Sequence, residues 1–127
     1  MSGYTYDTGA LIAAERDDWR MRRIHQLAIG QSSAPTVPAG VLAEAWRGGP
    51  QPRLSRLLKS CDIEPLTETQ ARAVGALIAR SGLPDPVDVA VVEGAVRRRD
   101  AAIVTSNPTH IRQVLESMGA HIEILEV

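Results

Sequence analysis

Short β-prone runs alternate with helical patterns from one end of this 127-residue chain to the other, and that alternation limits the fold more than any single motif does. Residues 4–6, 33–37, 62–66, 101–105 and 121–127 read as strands. Between them apolar residues recur at helical spacing. Leu11 to Ala14 make one such run, and Trp19, Met21, Ile24, Leu27 and Ala28 another that stops at Gly30, predicting two helices or one broken helix. Pro38 opens a helix with Val41, Leu42, Ala45 and Trp46 on its apolar side, closed by Gly48-Gly49-Pro50. A short helix follows over 52–60. Thr67 and Gln70 have the spacing of a capping box, ahead of a helix with Ala71, Val74, Leu77 and Ile78 inward and a stop at Ser81-Gly82. Asp85 reads as the N-cap of the next helix, with Pro86 at its first position. The last helix spans 108–118 and ends at Gly119. Strand-helix alternation of this kind predicts an α/β fold: a parallel β-sheet of about five strands sandwiched by helices, with right-handed crossovers.

On that framework four oxygen-bearing side chains draw together. They are Asp7 in YTYDTGA, Glu44 in GVLAEAW, Asp88 in PDPVDVA and Asn107 in IVTSNPT. Asp7 and Asn107 each follow a strand and precede a helix, which places them at the carboxyl edge of the sheet, where open α/β sheets bind ligands. Glu44 is expected near the buried side of its helix. Two carboxylates about 4 Å apart repel by about 4 kcal/mol at an effective dielectric of about 20, so converging acids need protons, arginines or a divalent cation. Oxygen donors without His or Cys suit magnesium or manganese. The chemistry implied is metal-assisted attack of water on a phosphodiester.

Each residue also has a purely structural role open to it. Asp7 can cap the helix that starts at Thr8, and Asp85 and Asp88 suit the first turn of theirs. Ser106 or Asn107 can cap the helix opened by Pro108, and Glu44 can pair with Arg47 one turn on.

Size and charge narrow the class. A chain of this length makes one domain, 1–127, with a single sizeable core. No apolar run approaches a membrane span and the N-terminus lacks a signal-peptide layout, so a cytoplasmic location with no membrane partner is expected. Cys61 is the only cysteine and reads as an ordinary half-buried residue. Net charge is −1, and 13 of the 14 basic residues are arginine, so any affinity for nucleic acid must come from local clusters. Three present themselves: Arg20, Arg22 and Arg23; Arg53, Arg56 and Lys59; Arg97, Arg98 and Arg99. Each also fits a solvated helix face or C-terminal turn. His25, His110 and His121 show no ligand spacing and are assigned to surface or helix-end positions. Trp46 is expected in the core.

The order YDTGALIAAE, Glu44, DPVDVAVVEGA and Thr105-Ser106-Asn107 resembles that of PIN-domain ribonucleases, in particular the VapC-type toxins of VapBC toxin–antitoxin systems. The resemblance covers nearly the whole chain. It implies a PIN-like α/β/α fold and a Mg2+- or Mn2+-dependent endoribonuclease, with Asp7, Glu44 and Asp88 catalytic and, with Asn107, metal-binding. Thr8 and Ser106 flank that site and are expected to hold a water or a phosphate oxygen of substrate. The expected partners are an RNA substrate, a small cognate antitoxin and a second copy in a homodimer. Asn107 departs from the aspartate of the family pattern. Its carbonyl can still meet a cation, but without the charge, so one metal can suffice or Asp85 can swing in as an additional acid.

Other classes stay in view. A housekeeping PIN nuclease without an antitoxin and a weakened PIN fold that only binds RNA or a partner share these residues. A receiver domain needs a lysine late in the chain. Lys59, the only lysine, lies mid-chain.

Overall fold

The computed structural model describes residues 3–127. In it β1 (Tyr4–Tyr6), β2 (Thr36–Pro38), β3 (Asp62–Glu64), β4 (Ala102–Thr105) and β5 (Glu123–Glu126) form one sheet of five strands in the order β3-β2-β1-β4-β5. Every pairing in it is parallel. The chain builds outward from β1 through β2 to β3, then returns to lay β4 on the other side of β1. The order reverses between β1 and β4, so their carboxyl ends frame the crevice. This is the architecture expected from the sequence.

The helices are α1 (Thr8–Glu15), α2 (Trp19–Ile29), α3 (Ala39–Ala45), α4 (Pro52–Leu58), α5 (Glu68–Ser81), α6 (Pro86–Arg98) and α7 (Pro108–Met118). α1 contacts α2, α3, α4 and the central strands, while α6 packs against β1, β2, β4, α5 and α7. α6 is the most deeply set helix, buried from Val89 through Ala95. Tyr6, Leu11, Leu54, Val37, Val91, Ile103 and Ile111 are among the largest fully buried side chains, each of the aliphatic ones contributing about 1.5–3 kcal/mol by leaving water. Of the elements read from sequence, β3 and β5 are shorter than expected, and so is β2. Pro38 ends that strand and serves as N-cap of α3 instead of opening the helix.

Three local expectations are corrected. Trp46 is 40% exposed: α3 stops at Ala45, so the indole lies beyond the helix face that packs inward. Ala71 faces solvent, and the inward stripe of α5 is Gln70, Val74 and Leu77. Gln70 also leaves the capping box half made. Thr67 accepts from its backbone N–H at 3.1 Å, but the Gln70 amide donates to Glu93 at 2.9 Å rather than turning back to Thr67.

That choice belongs to a larger network. Arg97 meets Glu64 at 2.9 Å and Glu93 at 3.1 Å, and Arg98 meets Glu64 at 2.6 Å and donates to Thr5 at 2.8 Å. Arg98 also reaches Asp100 at 3.3 Å, itself only 5% exposed and hydrogen-bonded by Thr5. A side chain at Gly94 would collide with both Arg98 and Glu64, so glycine there makes room for the pair. These two arginines tie β3, α6 and β1 together and are not free for nucleic acid. Arg98→Met is expected to strand Asp100 and half of Glu64 without a counter-charge and to lower stability by about 3 kcal/mol. Urea unfolding at neutral pH checks this.

Candidate active site

Asp7 directly follows β1, and its N–H bonds to the Val104 carbonyl at 3.0 Å, continuing the β1–β4 pairing one step past the strand. That register sets it opposite Thr105, whose hydroxyl donates to Asp7 Oδ2. The other oxygen, Oδ1, accepts from the Ala10 N–H at 3.1 Å, so Asp7 does cap α1. Capping and site roles coexist in one carboxylate. At 3% exposed, it has lost most of its water. Burial pushes the Asp7 carboxyl up to about 6, helped by the charge of Asp88 and opposed by the bonds from Thr105 and Ala10.

Asp88 stands in the first turn of α6, half-buried, and burial again raises its carboxyl, with the charges of Asp85 and Glu44 adding to the effect and His110 opposing it. Asp88 is thus the electrostatic link, acting on Asp7 and acted on by Glu44. Glu44 is exposed, contrary to expectation, because α3 turns it away from the Val41 and Ala45 side. Its carboxylate does not pair with Arg47. It accepts from the Thr8 hydroxyl at 2.6 Å, which leans it back over the start of α1. Asp85 is held as the N-cap of α6, accepting from Val87 and Asp88 N–H groups at 2.9 and 3.3 Å. Swinging it into the site would undo that cap.

The turn after β4 brings the remaining residues. Thr105 Oγ1 accepts the Asn107 N–H at 2.8 Å while donating to Asp7, a double role that fixes the turn against β1. Ser106 is exposed, its hydroxyl lying where a Cβ on Gly9 would fall, 1.9 Å away. Glycine at position 9 is what lets this turn close on α1. Asn107 is the N-cap residue of α7, yet its side chain makes no cap hydrogen bond. It meets His110 Nδ1 at 2.7 Å instead. The same nitrogen lies 3.3 Å from Asp88 Oδ2.

His110 is therefore part of the site, which sequence reasoning missed. The available signal was its position three residues after Asn107, one turn along α7. Thr105 was recognised only as part of a motif, although it is the group that touches Asp7. His25 is half-buried at the edge of a groove and lies between the Tyr6 hydroxyl at 2.7 Å and Ser60 Oγ at 2.9 Å. Ser60 donates to the Leu57 carbonyl at 2.8 Å and the chain ends in a buried tyrosine, so no carboxylate orients this histidine for nucleophilic catalysis. Two of the arginine clusters meet beside it. Arg22, Arg53 and Arg56 line one groove of about 620 Å³ with His25 and Ser60, and Asp17 pairs with Arg22 and Arg53 at 3.6 and 3.9 Å.

The donor set suits a hard cation: mutually repelling carboxylates, the deepest of them held toward its neutral form, are what a divalent ion relieves. As the side chains stand, no three His, Cys, Asp or Glu groups among the described residues converge on one point. Thr8 holds Glu44 and Thr105 holds Asp7, so drawing these acids onto an ion requires exchange of those hydroxyl bonds.

A chain of the crystal structure of VapBC2 from Rickettsia felis bound to a DNA fragment from their promoter is similar in fold, with a TM-score of 0.72, 16% identity and 98% of both chains covered. The fold is PIN-like. That agrees with the fold implied by the resemblance seen in the sequence. No protein-family model matches the chain, nor does any curated protein sequence. No helix among the described residues is long and apolar enough to cross a membrane.

The raised Asp7 carboxyl fixes a sign. Folding moves it from 3.8 to about 6, so the folded state holds the proton more tightly than the unfolded chain. Stability from this group is whole below about pH 4 and is lost as pH rises through about 6, amounting to about 3 kcal/mol by pH 7.5 in the absence of cations. Asp7→Asn keeps the Ala10 cap and removes the charge. In chelator it is expected to match the parent protein at pH 4 and to exceed its stability at pH 7.5, as read by urea unfolding at the two pH values.

Proposed function

We propose that this chain is a divalent-cation-dependent endoribonuclease and the toxin member of a toxin–antitoxin pair. The observation that carries the proposal is a PIN-like fold with Asp7 buried at the β1–β4 crevice and Asp88 close enough to act on it by charge, Glu44 acting on Asp88 in turn. Asp7, Asp88 and Glu44 would hold a Mg2+ or Mn2+ ion, with the Asn107 carbonyl as a neutral fourth donor. Such an ion supplies a water of lowered pKa and stabilises charge on the phosphodiester oxygens.

The chain's own groups divide the remaining work. Thr105 keeps the Asp7 oxygens aimed at the crevice, and the burial of Asp7 makes its ionised form costly unless a cation is near. Thr8 and Ser106 offer hydroxyls to a phosphate oxygen or a water. The first turn of α1 presents backbone N–H groups toward the same edge, a setting that favours an RNA phosphate. Arg22, Arg53 and Arg56 form the basic groove suited to the rest of the RNA backbone.

The partner reading rests on the likeness to the VapBC2 structure together with these acids. An antitoxin that places an arginine or lysine among Asp7, Glu44 and Asp88 would supply the charge a cation otherwise gives. Self-association as a homodimer belongs to the same proposal. The neutral Asn107, tied to His110, favours one alternative: a PIN fold of weakened activity that binds RNA or a partner.

Cleavage of single-stranded RNA by the purified protein in Mn2+ or Mg2+ is the test. Activity is expected to vanish in excess chelator and to fall at least about a hundredfold in Asp7→Asn, whose fold the unfolding measurements verify independently. Equal cleavage by both proteins, or cleavage unaffected by chelator, removes the metal-dependent reading. Binding of RNA without cleavage at any metal concentration selects the weakened module.

A further inference from the structure

We infer that His110 is a metal ligand, and that with Asp88 and Asn107 it forms a mixed oxygen–nitrogen position that prefers a transition-metal ion to magnesium. This rests on the metal-dependent reading of the crevice. What it adds is the identity of the missing donor and the ion it selects.

Asp88 and Asn107 both approach the same imidazole nitrogen. His110 Nδ1 is 3.3 Å from Asp88 Oδ2 and 2.7 Å from the Asn107 amide. Neighbouring donors on one ion with bonds of about 2.1 Å stand about 3.0 Å apart in octahedral and about 3.4 Å apart in tetrahedral geometry. The Asn107 amide turns Nδ2 toward Nδ1, and a ring nitrogen that accepts from it cannot also donate to Asp88. A half-turn about the last Asn107 side-chain bond exchanges Nδ2 for Oδ1 and presents a carbonyl oxygen in the same place.

Other roles for these residues are already filled or missing. Asn107 occupies the N-cap position without capping, and Asp85 is committed to the α6 cap. Among the described residues, His110 is the metal-binding side chain seen in contact with the Asp88 carboxylate. It lies on α7, whose buried Ile111 and Val114 anchor the adjacent turn, so its ring starts from a packed support. An imidazole nitrogen binds magnesium poorly and first-row transition ions well, which shifts the preference of an otherwise all-oxygen set. Manganese is the probe of choice because it is paramagnetic and accepts both donor types.

The experiment uses the full chain without a histidine tag, loaded with one equivalent of Mn2+ and examined by pulsed electron paramagnetic resonance for coupling to a directly bound imidazole nitrogen. The coupling is expected in the parent protein, absent in His110→Ala and unchanged in His121→Ala. Calorimetric titration of the same proteins is expected to show His110→Ala losing about tenfold in Mn2+ affinity while Mg2+ affinity changes less than about twofold. Manganese bound without nitrogen coupling, in a protein that still cleaves RNA, overturns the role of His110 and leaves the nuclease reading standing. Failure of the parent protein to bind Mn2+ at all overturns both. Nitrogen coupling in a protein that does not cleave RNA supports the ligand and removes only the nuclease.

Discussion

The parallel pairing of β1 with β4 is the interaction on which the rest depends. It sits at the one place where strand order reverses, and its register runs on for one residue beyond β1, to Asp7 opposite the last residue of β4. Asp7 and Thr105 face each other because of that extra step, and the Asp7 N–H bond to Val104 and the Thr105 hydroxyl secure it from both sides. A slip of one residue would move every side chain to the opposite face and separate the pair. From this seam α1 departs with its cap, α7 departs from the turn after β4, and α6 is packed across the strands that flank it.

The seam also holds an electrostatic conflict. A carboxylate that caps a helix wants its charge, and one buried among other acids does not. In Asp7 the second demand prevails, while the bonds from Thr105 and Ala10 reduce the penalty without removing it. Elsewhere the chain settles similar conflicts internally: Arg97 and Arg98 answer Glu64, Glu93 and Asp100. No arginine reaches Asp7 in the same way among the described residues, so its charge is left to be answered from outside the chain. The contrast between the two groups separates a structural cluster from one with chemical potential.

Much of this was legible in the sequence, for reasons that differ by element. Strand-helix alternation, Pro at helix starts, and the glycines at 82 and 119 with their left-handed backbones are local signals, and they placed α5, α6 and α7 closely. The positions of Asp7 and Asn107 at the sheet edge followed from those elements. What stayed hidden depends on tertiary direction. Whether Glu44 points inward is set by where α3 ends, which Trp46 obscured by looking like a core residue. Gln70 suited a capping box until Glu93, 23 residues later, offered a better acceptor. His25 carried no spacing signal because its partners, Tyr6 and Ser60, are distant in sequence, and the three-residue spacing of Asn107 and His110 gained meaning only once α6 brought Asp88 beside them. A lone histidine gains its meaning from neighbours that only the fold supplies.

Gly9 shows how little slack this arrangement has. The Ser106 hydroxyl occupies the very volume that any other residue type would need for its first side-chain carbon. α1 and the β4–α7 turn are therefore fitted surface to surface, with a hydrogen atom as the whole clearance. Movement of one is movement of the other. Asp7 and Thr8 stand at the start of the first partner, Asn107 and His110 on the second, and so the two halves of the crevice are packed directly together although nearly a hundred residues of chain lie between them. Such packing sets the spacing of the donors, and accommodates a cation or a phosphate chiefly through rotations of individual side chains.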